Sequence, residues 1–505
     1  MGYVNVTSTA AVPTPRNKSF NVACVVGKST GYVDYSNRII EQVTSVASLS
    51  SYDITSTTAP ALVNSLNAFF QGVADGGGSG IGLTVAIADA FPTTSVSKND
   101  VQGVFAKNTL TYSLQTSPVS SVTSVYMKLG TAYIPQPMEA WTATQDANGL
   151  YTGEIVFNSD EDARWAYASD SYMDPDDIDS SNVYASTWTI NGLAVDYTLG
   201  KLETILNDLI DKEFNFLFFS YDPTSTGMGA ANTHSEASLL KDYLSAKYHC
   251  SNAYVLGKRR EFIGALPKGV VPTTLDTGFG FSTAISFENW PEILGGKNQS
   301  LVQHDVTIDS SNLGVSDPAA FFAGKVVSRD QIRRGFVLDN WAGFPQTTTP
   351  TPGQKTAWDR ANIACVFKMP NYFTQNLLST GYTLDSSSVV KRIEGVRAQY
   401  WVEDTLTSAL LSAIASHTIF INKPGCLSVE QIIRGVLNKG VNEGVCDGLD
   451  SITFPLLDAF RTPNLTASIA AISTARTTLS MGTITVKWVF AGNVETININ
   501  LEVNT

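Results

Sequence analysis

The chain has 505 residues, of which 43% are apolar and only 16% charged, with a formal net charge of −13 and a pI near 4.8. This length suits roughly two to four domains, and an acidic chain without a lysine and arginine cluster argues against direct binding of nucleic acid. The five cysteines are widely spaced and form no CxxC pair. Their pattern argues against a disulfide framework or a zinc site, and it favours a reducing compartment.

Residues 1–20 are predicted to form an extended N-terminal arm. They hold few charges and two prolines, and Val4 and Val6 alternate with polar neighbours as in a brief β-strand. The segment lacks a basic region followed by an apolar core, so we expect no signal peptide.

Residues 21–95 are predicted to form the first part of an α/β core. The apolar runs FNVACVVG (20–27) and IGLTVAIA (81–88) are typical of buried strands. Between them we expect two helices, over SNRIIEQVTSVASL (36–49) and LVNSLNAFFQGVA (62–74). The alternation of strand and helix indicates an α/β architecture.

Residues 96–199 are predicted to form a β-rich domain inserted into this core. Runs such as TLTYSLQT (109–116) and SVYMKLG (124–130) alternate between polar and apolar residues. Asn148-Gly149 and Asn191-Gly192 lie between alternating runs and are typical of hairpin turns.

Residues 200–384 are predicted to form the second part of the core. Helices and strands alternate again, in this order: helix KLETILNDLIDKE (201–213), strand FNFLFFSY (214–221), helix SEASLLKDYLSAKY (235–248) and strand NAYVLG (252–257). The proline- and threonine-rich stretch 341–354 is expected to be a loop or linker. The apolar runs are too short to span a bilayer.

Residues 385–482 are predicted to form a helical C-terminal domain, and residues 483–505 a C-terminal hairpin or arm. One helix is expected to begin with a capping box that joins Ser428 to Gln431. The overall fold class is therefore an α/β core, α+β overall, with a β-rich insertion, a helical C-terminal region and extended arms at both ends.

The chain closes on an amphipathic strand, TININLEVNT. Its apolar residues alternate with polar ones as in a half-buried strand, and they are Ile497, Ile499, Leu501 and Val503. Two interpretations stay open. The strand pairs with residues 483–490 of its own chain, or it adds to a sheet of a sister copy; both hold if the hairpin also accepts a donated strand.

No motif in the sequence predicts a catalytic or nucleotide-binding centre. GKST (27–30) follows a strand, but Val22 stands where a P-loop needs glycine. The same stretch places Ser29 in a G-x-S-x-G pattern, yet only one core strand precedes it and GYVDY separates it from the next expected helix. A strand-ending turn is the favoured interpretation of both patterns.

No metal or cofactor site is predicted either. The four histidines have no metal-ligand spacing; they are His234, His249, His304 and His417. The acidic stretch 160–179 would gather carboxylates for calcium at Asp174, Asp176, Asp177 and Asp179, but it lacks the EF-hand glycine and glutamate, which favours a solvated loop. Gly278 and Gly280 suit either a packed strand with close backbone approach or a sugar-binding loop.

Five segments resemble the contractile tail sheath proteins of bacteriophages and related injection machines, and the resemblance runs along nearly the whole chain. They are TAAVPTPRNKSFNVACVVG (9–27), SLNAFFQG (65–72), DPAAFFAGKVVSRD (317–330), FINKPGCLSVEQIIRGVLNKGVNEG (420–444) and TITVKWVFAGNVETININLEVNT (483–505).

The resemblance implies a non-enzymatic, mechanical virion protein without a cofactor. Its partners would be further copies of itself in stacked hexameric rings, the tail tube protein, and baseplate and tail terminator proteins, with no membrane insertion. It also implies that Val4, Val6 and the C-terminal apolar residues join neighbouring subunits, that the β-rich insertion lies outside, and that the C-terminal helices face the tube. The alternatives are another virion structural protein, such as a baseplate or capsid component, then a secreted adhesin and a hydrolase.

Overall fold

The computed structural model describes the chain in segments separated by gaps. They are residues 22–27, 29, 38–79, 81–87, 94–101, 111–113, 121–129, 132–135, 141–145, 151–157, 192–199, 201–220, 236–266, 294–303, 317–328, 336, 338–345, 350–368, 375–385, 391–416 and 419–490. Both predicted arms, residues 1–20 and the terminal strand beyond Phe490, lie outside these segments.

The first part of the core contains strands and one long helix. They are β1 (Ala23–Gly27), β2 (Ile39–Val43), α1 (Pro60–Asp75) and β3 (Leu83–Ile87). The helix predicted over 36–49 is wrong, because this stretch forms β2 and then a 3-10 helix, Val46–Tyr52. Gln42 has a φ of +61°, which no α-helix accommodates. The β-branched pair Ile39-Ile40 suits a strand, and the edge of β3 provides its partner.

The predicted β-rich stretch forms two antiparallel sheets. Its strands are β4 (Thr94–Val101), β5 (Thr111–Ser113), β6 (Ser121–Leu129), β7 (Ala132–Pro135), β8 (Trp141–Gln145), β9 (Tyr151–Phe157) and β10 (Gly192–Leu199). Their orders are β4-β10-β6-β7 and β5-β9-β8. Strands β8 and β9 pair on either side of the predicted Asn148-Gly149 turn, which itself lies outside the described residues. The strand expected before Asn191-Gly192 also lies outside them.

The second part of the core adds four helices and seven strands within the described segments. They are α2 (Lys201–Asp208), β11 (Phe216–Phe219), α3 (Glu236–Val255), β12 (Glu261–Leu266), β13 (Gln299–Gln303), α4 (Pro318–Val327), β14 (Asp339–Asn340), α5 (Pro352–Arg360), β15 (Ile363–Ala364), β16 (Val366–Lys368) and β17 (Asn376–Leu378). Strands β14, β17 and β16 form a small antiparallel sheet.

One prediction in this part is wrong. The strand expected over 252–257 is the last turn of α3, which is terminated by Gly257 with a φ of +77° while the Lys258 amide donates to the Ala253 carbonyl. The stretch 341–354 is expected to be a loop or linker, and its described residues up to Thr351 form no helix or strand. Both of its ends are ordered, since Trp341 is fully buried and Thr351 caps α5 through a capping box with Gln354. At the end of α3, the helix terminus overrides a short local pattern of strand residues.

The central sheet has seven strands in the order β15-β13-β12-β11-β1-β3-β2. Neighbouring strands are parallel, except that β2 pairs antiparallel with β3. Every residue of β1 and β3 is buried, as expected for parallel strands covered on both faces. The predicted α/β core is confirmed.

Helices α1 and α4 cross at two glycines. A Cβ on Gly72 would lie 2.1 Å from the Phe321 carbonyl oxygen, and a Cβ on Gly324 would lie 2.1 Å from the Phe69 carbonyl oxygen. Only glycine permits so close an approach of two helix backbones. The buried Asp317 carboxylate caps α4 and also accepts a hydrogen bond from Ser65 on α1, at 2.5 Å.

In the part that the structure describes, the C-terminal unit contains four helices and a two-stranded sheet. Its elements are α6 (Ile393–Ala415), α7 (Lys423–Asn442), β18 (Cys446–Thr453), α8 (Pro455–Arg461), α9 (Thr466–Thr478) and β19 (Thr485–Phe490). The capping box predicted at Ser428 is wrong. Helix α7 begins before that residue, where the Asn422 side chain accepts from the Gly425 amide at 2.8 Å and Pro424 occupies the first turn.

Two hydrophobic cores result, and α6 belongs to both. Ile393 packs into the core around the central sheet, whereas Ala398, Trp401 and Val402 pack into the core of the C-terminal unit. Across the described part of the chain, no helix combines the length and apolar character that crossing a bilayer requires.

Candidate assembly surface

The residues predicted to be donated between subunits all lie outside the described segments. They are Val4, Val6, Ile497, Ile499, Leu501 and Val503. Their role in strand donation therefore stays a prediction, and so does the pairing of residues 497–503 with residues 483–490. The structure does describe β19, the strand that immediately precedes the C-terminal segment.

Strand β19 pairs antiparallel with β18. The register runs from Cys446 opposite Phe490 to Thr453 opposite Thr485, with two irregularities along β18. The side chains of β19 alternate between two environments. Val486, Trp488 and Phe490 pack against the C-terminal core, whereas the opposite face of the strand is exposed.

The second edge of β19 carries no partner strand among the described residues. A sheet of two strands is at best marginally stable on its own, and an open edge leaves a row of backbone N–H and C=O groups without ladder partners. Val489, on the exposed face beside this edge, is 49% exposed. The edge is thus a ready acceptor for a further strand.

A second unusual surface is the outer face of α9. Only Ser468 and Ala475 of this helix are buried, and Ile472 is partly buried. Ile469 is 57% exposed, while Leu465 and Leu479 at the two ends of the helix are 60% and 64% exposed. Leu465 and Ile469 lie one turn apart, and large apolar side chains exposed side by side are typical of contact surfaces.

The exposed face of α9 is also nearly free of charge. Arg476 is the one charged residue in the sequence TASIAAISTARTT. Ile469, Ile472, Ser473, Arg476 and Thr477 share one face of the helix. Sequence reasoning missed this surface, although a helix of 13 residues with a single charge was a readable signal.

The described residues do not assemble the hydrolase centre suggested by Ser29. Ser29 is only 3% exposed, and its hydroxyl has no hydrogen-bond partner within the described residues. The next described element is β2, a strand, where a nucleophile elbow would continue into a helix. The turn at Gly27 is tightly packed, because an added Cβ would lie 2.7 Å from Leu62.

The buried thiols and His249 have structural roles. Burial raises the pKa of the Cys24 and Cys250 thiols to about 12, despite the opposing charge of Arg260, so neither is a thiolate nucleophile near neutral pH. Burial, reinforced by Arg260, holds the pKa of His249 well below its usual range. Arg260 donates to His249 Nε2 at 2.6 Å and to backbone carbonyls, including that of Leu209 at 2.9 Å.

Among the residues that the structure describes, no three His, Cys, Asp or Glu side chains gather as a metal site. The acidic stretch 160–179, the glycines at 278 and 280, and three of the four histidines (His234, His304 and His417) lie outside those residues.

Comparison with known proteins gives similarity only to solved structures. No protein-family model matches the chain, and no curated protein matches it. The sheath tail protein Lin1278 of Listeria innocua matches at 9% identity over 86% of this chain and 87% of its own, with a TM-score of 0.41. The sheath tail protein DSY3957 of Desulfitobacterium hafniense matches at 10% identity over 90% and 94%, with a TM-score of 0.43.

A chain of the cryo-EM structure of the anti-feeding prophage baseplate also matches, at 13% identity over 61% of this chain and 73% of its own, with a TM-score of 0.41. All three TM-scores lie below 0.5, so the similarity transfers neither a fold nor a function to this chain. Tail sheath proteins, the family that the sequence resembles, are nonetheless among the solved structures similar to it.

Proposed function

We propose that this chain is a structural protein of a contractile tail, a sheath subunit that polymerises as stacked hexameric rings around a tail tube. Contraction of this lattice would drive the tube through a host cell envelope. The subunit is assembled in the host cytoplasm and becomes part of the virion. It acts mechanically, without a reaction centre or a cofactor.

One observation carries the proposal: β19, one edge of which has no partner strand among the described residues, directly precedes an amphipathic segment of 15 residues. The chain supplies both halves of a strand-addition joint, an acceptor edge and a donor with alternating apolar residues. A donor that leaves its own subunit finds an identical acceptor edge on the next one. Repetition of this joint produces a lattice in which each weak link is strengthened by its neighbours.

The exposed face of α9 supports a second contact in the same assembly. Its apolar, nearly uncharged character suits lasting burial against another protein better than contact with water. We assign this face to the tail tube protein, and the donated strands to neighbouring sheath subunits. The ends of the polymer would meet the baseplate and tail terminator proteins.

Removal of residues 494–505 tests the joint. We expect the truncated protein to fold but to stay monomeric, because the acceptor edge then has no donor. The measurements are negative-stain electron microscopy and sedimentation of the purified protein. Unchanged polymerisation after truncation would contradict strand donation by the C-terminus.

A more specific experiment keeps the length of the chain and substitutes one face of the C-terminal strand at a time. Serine at Ile497, Ile499, Leu501 and Val503 should abolish polymers, since the donated strand loses the face that seats in its neighbour. The matched control places serine at Asn498, Asn500 and Asn504 and should leave polymers intact. Tubes or long helical polymers would identify a sheath, whereas rings or closed shells would favour a baseplate or capsid component.

A further inference from the structure

A buried lysine and two aspartates meet where α1 and α4 end. Lys325, in the last turn of α4, has a side chain only 3% exposed. Its Nζ lies 2.7 Å from Oδ2 of Asp75, the last residue of α1, and 3.2 Å from Oδ2 of Asp339 in β14. Nζ also donates to the carbonyl oxygen of Asn340. The side chains of Asp75 and Asp339 are 13% and 10% exposed.

Three buried aromatic residues lie close in sequence to the cluster. Phe321 precedes Lys325 by one turn on α4, and Trp341 follows Asn340; their ring centroids are 4.8 Å apart. Phe344 packs edge-on against both rings. These three aromatic residues are at most 3% exposed. The charged side chains of the cluster are themselves only 3–13% exposed, so little bulk water reaches them.

The backbone holds Asp75 in place. The Gly343 amide donates to Asp75 Oδ1 at 3.2 Å, and this leaves Oδ2 directed to the lysine. An added Cβ at position 343 would lie 2.8 Å from Nε2 of Gln71, the flexible end of that side chain. The glycine crossing fixes α1 and α4 within a turn of both reacting residues, so the amine and the carboxyl group are held at contact distance.

We propose that Lys325 and Asp75 condense to an intramolecular isopeptide bond, with Asp339 as the proton carrier. Lys325 transfers one ammonium proton to Oδ2 of Asp75, and the neutral amine attacks Cγ of the carboxylic acid so formed, while the Asp339 carboxylate takes a second proton from the attacking nitrogen. The N–C bond forms and the bond from Cγ to Oδ2 breaks. That oxygen leaves as water with two protons that began on the ammonium, one of them delivered by Asp339, whose carboxylate is regenerated.

Several physical effects favour this step over a lasting ion pair. A nucleophile and an electrophile held in contact gain a large effective concentration, and a carboxylate beside them serves as general base and then general acid. Two opposite charges kept from water carry a desolvation cost that a neutral amide removes. The exclusion of water also protects the product from hydrolysis.

The bond would lock α1 to α4 covalently and so brace the core of a protein that transmits force. The chemistry stands on the cluster alone and is independent of any role in a tail. Lys355 and Asp359 form an ion pair of the same residue types on α5, but their side chains are 31% and 25% exposed. That pair serves as the internal control, since water reaches both of its charges.

Intact-mass spectrometry of the full chain, denatured and reduced, tests the bond. We expect a mass lower than that of the sequence by one water, and after proteolysis a branched peptide that joins Lys325 to Asp75. Lys325→Arg keeps the ion pair but removes the nucleophile, and Asp339→Asn removes the proton carrier; both should restore the full mass. Lys355→Arg should keep the loss of water.

Succinimide formation at Asp75-Gly76 would also release one water and must be distinguished. A succinimide is cleaved by hydroxylamine and persists in Lys325→Arg, whereas the isopeptide bond resists hydroxylamine and is lost in that variant. Full sequence mass in the wild-type protein after prolonged incubation overturns the proposal. A loss of water that survives Lys325→Arg, or a branch at a residue other than Asp75, overturns it as well.

Discussion

Glu261 is a carboxylic acid placed where a charged group is costly. It begins β12, it is 3% exposed, and neither of its carboxyl oxygens has a hydrogen-bond partner among the described residues. Burial raises the pKa of Glu261 well above its usual range, and the nearby Glu394 raises it further, while Arg397 opposes this change. The charge of Glu261 also acts on two neighbouring groups, Tyr400 of α6 and Cys250 of α3, and raises the pKa of each.

The sign of the resulting pH dependence follows from linkage. The folded state holds the Glu261 proton more tightly than the unfolded chain does, so this group stabilises the fold below its ordinary pKa. That contribution declines as the pH rises towards the raised pKa, by about 1.4 kcal/mol for each pH unit. Glu261→Gln should therefore flatten the decline of the unfolding free energy between acidic and neutral pH.

Urea unfolding at a series of pH values measures this change. Glu443→Gln is the control, because Glu443 forms an exposed ion pair with Lys439 at 3.7 Å, and such pairs contribute little. The control should leave the pH dependence unchanged. A Glu261→Gln protein whose stability declines with pH as steeply as the wild type would show that Glu261 is ionised in the folded state.

At the scale of elements, the crossing of α1 and α4 depends on glycine rather than on apolar side chains. The SLNAFFQG and DPAAFFAGKVV segments each place a glycine where the partner backbone passes at contact distance. Such a contact is invisible to hydrophobic periodicity, which predicts the helices but not their partners. The pairing of these two segments was therefore not predictable from either one alone.

Gly324→Ala should destabilise the protein by about 1–3 kcal/mol, because the new Cβ overpacks the crossing against the Phe69 carbonyl. The matched control is Gly435→Ala in α7, where an added Cβ meets nothing within 4 Å. That substitution should stabilise by up to about 1 kcal/mol through helix propensity. Equal midpoints of thermal unfolding for the two variants would contradict the close crossing.

The order of strands and helices can be predicted from the sequence where the apolar runs are long. The residues at which the elements begin cannot be predicted in this way. β1, β3 and β11 stand out as apolar runs, whereas the sequence of β2 predicts a helix because Ile39-Ile40 fits both patterns. The predicted start of α7 falls too late, because Ser428 and Gln431 have the spacing of a capping box but lie inside a helix already capped by Asn422. The donated strand is a sequence pattern only. The low charge of α9 is visible in the sequence, but which face of the helix is exposed is shown only by the packed structure.

At the scale of the molecule, α6 connects the two cores, and Arg259 binds this helix through an ion pair. Arg259, just after α3, contacts Glu403 of α6 at 2.8 Å. Its guanidinium also lies over the rings of Tyr254 and Tyr400, 4.5 and 5.7 Å from their centroids. Since the Arg259 side chain is only 11% exposed, this contact is poorly screened by solvent.

Arg259→Met should uncouple the unfolding of the two cores. We expect calorimetry to resolve two transitions in place of one cooperative transition, since Glu403 and Asp404 then lose their shared cation. Arg434→Met removes an exposed ion pair within α7 and should keep a single transition. A single transition in Arg259→Met, shifted no further than in the control, would mean that apolar packing along α6 suffices.

All five native cysteines are free and buried. Thiol-reactive dyes should therefore leave the folded wild-type chain unmodified. Labelling of an introduced cysteine would then give no signal from the native thiols. A single new cysteine at Thr485, on the exposed face of β19, would carry a fluorophore without removal of the native thiols. Energy transfer between labelled copies would then report directly on the distance between neighbouring subunits as they associate and rearrange.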